Sequence, residues 1–216
     1  MSLRNFCNRR TILYLLGMNV MALGILLSTR SLLGVAASSS VAYSYSKFLH
    51  ISFGTANVIL FFIFITIQAL LLKSLSPKLL LQIPMACLVG CFIGLYDWIV
   101  PEINPPFALG LVLLVVSNIL TGIGVYGMTK ANLVLDPGNG IVDTLCRTLN
   151  RPFSYLRVRF DILLVTFTIL SGLVIAHKVV GVGVGTLISA ILIGKSVGFT
   201  GRVADRYVNH WLQVRR

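Results

Sequence analysis

Long uncharged runs alternate with short polar stretches along the whole chain. Four runs are near or above the length of about 20 residues that a helix needs to cross a bilayer: Thr11 to Thr29, Gly54 to Leu72, Leu79 to Tyr96 and Pro106 to Thr129. Two more extend from about Tyr155 to Ala176 and from Val179 to Gly198, with Arg157, Arg159 and Asp161 near one end of the first and Lys195 in the second. Long cationic side chains at such positions reach the headgroups. Two shorter segments, Gly34 to His50 and Gly138 to Asn150, are too brief and too polar to span. The pattern predicts an all-α, polytopic membrane protein with six transmembrane helices and short re-entrant or interfacial helices between them. If the two short segments also crossed, the count would be eight.

Composition agrees with lipid as the solvent. Of 216 residues, 56% are hydrophobic and 11% charged, against about 25% charged in soluble domains, and the mean hydropathy is +0.91. The chain reads as a single membrane domain, with repeat 1 over about 11–100, repeat 2 over about 107–200 and a basic tail over 201–216. The net charge of +12 matters through its placement. With six spans and a cytoplasmic N-terminus, fifteen cations fall inside and only Arg30, Lys47 and Lys178 fall outside; with eight spans the split is thirteen to five. The six-span reading therefore puts both termini in the cytoplasm of a cell that carries the protein in its cytoplasmic membrane. The alternative for the first run is a cleaved leader, since Arg4, Arg9 and Arg10 precede it and Val35-Ala36-Ala37 follows. The basic end, with Tyr207 and Trp211, reads as an interfacial helix drawn to anionic lipid and not as a nucleic-acid surface.

A self-match appears at an offset of 100 residues. Gly24 aligns with Gly124, Arg30 with Lys130, Lys47 with Arg147, Phe53 with Phe153, Val58 with Val158 and Gly94 with Gly194. Two units of about 100 residues with three spans each must enter the membrane from opposite sides, so the repeats are expected to be inverted. Many secondary transporters with that architecture bind solute near the midplane, beside interrupted helices.

Candidate chemistry is sparse. The hydroxyl-rich stretch after Gly34 offers Ser38, Ser39 and Tyr43, and its counterpart after Pro137 offers Asn139 and Asp143. Both segments read as a turn followed by a half-helix whose N-terminus faces a polar ligand, the alternative being a connector lying on the membrane surface. Arg157 and Asp161 are four apart, hence on one helix face, and Asp143 and Arg147 repeat that spacing. Such pairs serve either to tie helices together or to form a gate or binding pair. The first repeat has Asn57 and Phe61 at the positions of Arg157 and Asp161, so a site is expected to lean on the second half. These seven residues, Ser38, Ser39, Tyr43, Asn139, Asp143, Arg157 and Asp161, form the expected substrate site. Asn19, Gln68 and Asn118 read as amides joining helices. The four cysteines and three histidines show no ligand spacing, so no metal or cofactor is expected. Gly181-Val182-Gly183-Val184-Gly185-Thr186 lacks the G-x-G-x-x-G spacing of a dinucleotide loop, and no nucleophile elbow is present; the chain is not expected to be an enzyme.

Three features, the Gly24 to Gly34 segment, Pro137-Gly138-Asn139-Gly140 followed by Arg157 and Phe160-Asp161, and the closing Gly181 to Thr186 run before Ile193-Gly194, resemble the bacterial YczE/YyaS/YitT family of small membrane proteins. The likeness covers about 11 to 200. It implies a polytopic protein of the cytoplasmic membrane with a largely uncharacterised activity. The sequence thus leads to a small secondary transporter or permease of an unknown small solute, with the lipid bilayer and a second copy of the chain as expected partners. The alternatives are a membrane-embedded solute-binding subunit similar to energy-coupling-factor S components, or a structural or regulatory membrane protein.

Overall fold

The computed structural model describes residues 3–212. Residues 213–216, Arg215 and Arg216 of the basic tail among them, lie outside it, as do the side chains of residues 3–8, including Arg4 and Cys7. The described chain is helical, without a strand, and runs α1 Leu3–Arg30, α2 Ala37–Leu49, α3 Phe53–Leu72, α4 Pro77–Leu80, α5 Gln82–Ile99, α6 Phe107–Ala131, α7 Pro137–Leu149, α8 Phe153–Ala176 and α9 Val184–Leu212. Six segments are long and apolar enough to cross a membrane: most of α1, α3, α4 with α5, α6, most of α8, and α9. Their outward faces carry Leu, Ile, Val and Phe, as a surface solvated by acyl chains requires. The chain is a multi-pass membrane protein. The half-helices α2 and α7 have 13 residues each, about 20 Å of helix against a hydrocarbon core of about 30 Å.

The 100-residue spacing recurs in the backbone. Helix α2 starts at 37 and α7 at 137, they end at 49 and 149, and each stops at a left-handed residue, His50 and Asn150. Only α7 has a side-chain cap: Asp136 accepts from the Asn139 amide, with Pro137 in the first turn. Ala36 stands at the equivalent place before α2 and bonds nothing with its side chain.

At the centre, α1 and α6 cross closely because both present glycines. A Cβ on Gly17 would lie 2.8 Å from the Gly124 carbonyl oxygen, and one on Gly24 would lie 2.6 Å from the Thr121 nitrogen. Further along, Gly110 faces the Ser31 carbonyl. Residue numbers fall on α6 as they rise on α1, so the first helices of the two units are antiparallel. Each half-helix packs on both units: α2 lies on α8 and α3, and α7 lies on α3 and α8.

Ion pairs close the ends of the two central helices. Arg30, buried at the end of α1, bonds Asp97 at 2.8 Å and the Val100 carbonyl at 2.6 Å, neutralising the acid and satisfying the free carbonyl end of α5. Lys130, the equivalent residue on α6, bonds Asp205 of α9 at 2.7 Å, and Tyr126 donates to the same oxygen at 2.7 Å.

The last helix differs from its sequence-based expectation at both ends. It begins at Val184 rather than near Val179, because the Gly-rich run pairs as extended backbone with the turn after α1: Val35 N donates to Gly181 O at 3.0 Å and Gly185 N to Leu33 O at 2.8 Å. Gly181 has φ +79°, and Cβ atoms on Gly183 or Gly185 would collide with the Leu33 carbonyl. The basic stretch from 195 is not a separate interfacial helix within the described residues. It continues α9 without a break to Leu212, held to α6 through Asp205.

Candidate functional site

Helix α7 builds one polar centre. Asp136 uses both oxygens on Asn139, one accepting from its backbone amide at 3.1 Å and one from Nδ2 at 2.6 Å. That fixes the Asn139 carboxamide so that its oxygen accepts from Arg157 Nη1 at 2.9 Å. Arg157 Nε bonds Asp161 Oδ2 at 3.0 Å on the same face of α8, while Asp161 Oδ1 is buried and has no hydrogen-bond partner among the described residues. A chain Asp136, Asn139, Arg157, Asp161 therefore joins α7 to α8.

On its other side α7 meets a pair of buried amides. Gln68 Nε2 donates to Gln82 Oε1 at 3.0 Å and Gln82 Nε2 returns to Gln68 Oε1 at 3.2 Å, joining α3 to α5. Gly140 lies against this pair: a Cβ there would be 2.7 Å from Gln82 Nε2. Beside them is a cavity of about 330 Å³ lined by Gln68, Gln82, Lys78, Asn139, Asp143 and Arg147. Asp143 and Arg147 bond each other at 2.8 Å.

A second cavity, of about 510 Å³, lies by the end of α2 and is lined by Tyr43, Lys47, His50, Asp97, Glu102 and Lys178. Since it includes Phe53, the first residue of α3, and the other cavity includes Gln68 and Leu72, the two occupy opposite ends of that helix, about 30 Å long. Lys47 bonds Glu102 and lies 5.7 Å from the Tyr43 ring centre. Its ammonium holds the Glu102 carboxyl below the usual carboxylate range, against a smaller opposing effect of burial. The acid is charged and already matched.

The seven expected site residues separate into three groups. Asn139, Asp143, Arg157 and Asp161 belong to the α7 end, where Asn139 and Asp143 line the cavity and Arg157 and Asp161 stand behind Asn139. Tyr43 lines the opposite cavity. Ser38 and Ser39 line neither cavity, and Ser39 is buried. The neighbouring hydroxyls make the contacts instead: Ser40 bonds Thr168 at 3.2 Å and Ser44 donates to the Val180 carbonyl, fastening α2 to α8 and the loop beyond it. Of the joining amides, Asn19 accepts from the Tyr96 hydroxyl at 2.8 Å, tying α1 to α5, and Gln68 ties α3 to α5. Sequence reasoning passed over Gln82, Lys78 and Lys178 as site residues. The signal for the lysines is their own 100-residue spacing, the same that relates Lys47 to Arg147.

Residues 8–202 match a family of unknown function, DUF6198. No curated protein and no solved structure matches the chain. With nearly its whole length covered, the chain belongs to the DUF6198 family.

Proposed function

We propose that this DUF6198 protein is a small secondary permease for a small polar solute. One observation carries the reading: two polar cavities lie at opposite ends of α3, each assembled from the half-helix of one unit and elements of the other. Solute sites beside interrupted helices at a repeat interface are what inverted-repeat transporters use. The inverted arrangement is supported by the antiparallel crossing of α1 and α6; eight spans would place those helices parallel. The distribution of Lys and Arg favours cytoplasmic termini in the cell membrane, and the likeness to YczE/YyaS/YitT proteins agrees with that location.

The test is flux through purified protein in liposomes, with glycerol, rubidium, succinate and inorganic phosphate as the panel. Movement of any of these without a partner protein is expected. Binding without flux would replace the permease by a solute-binding subunit, and neither binding nor flux would overturn both.

A further inference from the structure

The two cavities carry matching cations in crossed pairs. The cavity by α7 takes Arg147 from unit 2 and Lys78 from unit 1; the cavity by α2 takes Lys47 from unit 1 and Lys178 from unit 2. Lys47 and Arg147 are 100 residues apart, and so are Lys78 and Lys178. The carboxylates follow no such rule. At the positions equivalent to Asp136 and Asp143 stand Ala36 and Tyr43, and at those equivalent to Asp97 and Glu102 stand Val197 and Arg202. What the two cavities share is therefore the placement of their cations.

Every carboxylate that lines them is already engaged. Asp143 bonds Arg147 and Asp136 bonds Asn139 at the head of α7. In the other cavity Asp97 bonds buried Arg30 and Glu102 bonds Lys47. Lys78 and Lys178 have no ion pair or side-chain hydrogen bond among the described residues. In the cavity by α2, where Arg30 takes Asp97 and Lys47 takes Glu102, Lys178 is left unmatched, with Tyr43 and His50 beside it; in the cavity by α7 the Asp136 carboxylate, bonded only to the amides of Asn139, offsets the charge of Lys78. An ammonium facing a cavity that its own acids do not neutralise selects an anion.

We propose that the cavity by α2 takes a small oxyanion, a carboxylate or phosphate group, held by Lys178. This names the solute class of the permease reading and rests on it for transport, although the binding stands by itself. The oxyanion is a free solute or the headgroup of an anionic lipid, which share this chemistry at a membrane surface.

Melting of the purified full chain in phosphatidylcholine nanodiscs tests it, with succinate or inorganic phosphate compared with chloride at equal ionic strength, and phosphatidylglycerol nanodiscs as a separate arm. Either oxyanion is expected to raise the Tm by about 3 °C or more near saturation. Lys178→Gln is expected to raise the half-saturating concentration about tenfold, the factor of one lost charged contact, and Lys78→Gln to leave it unchanged. These exposed lysines tolerate replacement, so the variants keep the wild-type Tm without ligand. Stabilisation by phosphatidylglycerol alone, weakened in Lys178→Gln, supports the site with a lipid headgroup as its source. No rise with either oxyanion or with phosphatidylglycerol, or a rise that Lys178→Gln leaves at the wild-type half-saturating concentration, overturns the proposal. Flux of glycerol or rubidium with no oxyanion effect removes the anion and leaves the permease; an oxyanion effect with no flux of any solute does the reverse.

Discussion

The two units share a plan and pack differently. In unit 1, α3 lies along α5, with Gly54 against the Gly90 carbonyl and Val58 seated over Gly90. In unit 2 no comparable packing joins α8 to α9: Val158 is 59% exposed, and a Cβ on Gly194 or Gly198 would meet nothing within 4 Å. The share of buried residues falls from 39% and 33% in the second and third spans to 17% and 22% in the fifth and sixth, so unit 2 is held mainly through its half-helix network and α6. The first unit joins α3 to α5 by close packing at glycines together with the Gln68–Gln82 pair, and the second has placed an Arg, an Asp and a capped half-helix where the first has Asn57, Phe61 and an uncapped one. Two stretches with the same spacing of elements thus use two kinds of cohesion.

The largest expected effect breaks that contrast at its packed side. Gly54→Val puts methyl groups where the Gly90 carbonyl lies, and overpacking of this kind costs about 1–3 kcal/mol, enough to lower the Tm of the detergent-purified protein by several degrees. Gly194→Val fills open space and is expected to leave the Tm unchanged. Equal losses in the two variants would mean that α9 is as tightly covered as α5.

A smaller effect sharpens the polar side. Arg157→Met strands the Asp161 carboxylate, whose other oxygen has no partner among the described residues, and frees the Asn139 oxygen. Both groups of the pair are about a quarter to a third exposed, so the expected loss is about 1–2 kcal/mol, below that of a fully buried pair. Removing both charges in Arg157→Met with Asp161→Leu is expected to restore most of it, measured as a double-mutant cycle in Tm. A double variant no more stable than the single one would show that the network holds α7 by more than charge.

The smallest effect lies in the 97–105 loop. Glu102 has its folded pKa lowered by Lys47, so its contribution is present above the unfolded value of about 4.3 and is lost as pH falls through the lower folded value. Wild type should melt slightly above Glu102→Gln at pH 7, and the gap should close on acidification through the carboxylate range. High exposure of the pair keeps this effect small, and a gap unchanged at low pH would remove the ion pair as its cause.

Much of this was readable from the residues alone. Uncharged length placed six spans, since burial of the helix backbone in lipid leaves few other solutions. The four-residue spacing placed Arg157 with Asp161 and Asp143 with Arg147, because helix geometry alone brings such residues together. The crossed packing of α2 on α8 and α7 on α3 has no local signature: Ser40 meets Thr168 across 128 residues and Gly140 meets Gln82 across 58. The late start of α9 was hidden for a related reason. Val179 to Val184 is apolar enough for a helix, and only the carbonyl of Leu33, delivered by another turn, makes the extended form with its glycines the better partner.

The crossed half-helices also set a schedule for biogenesis. While unit 1 is being made, Ser40 lacks Thr168 and the Gln68–Gln82 pair lacks the half-helix that seals it, so neither has its final neighbours. Unit 2 emerges about 100 residues later, which at ribosomal speeds of about 5–20 residues per second is roughly 5–20 s. For that interval the nascent first unit lacks the contacts that its complement supplies.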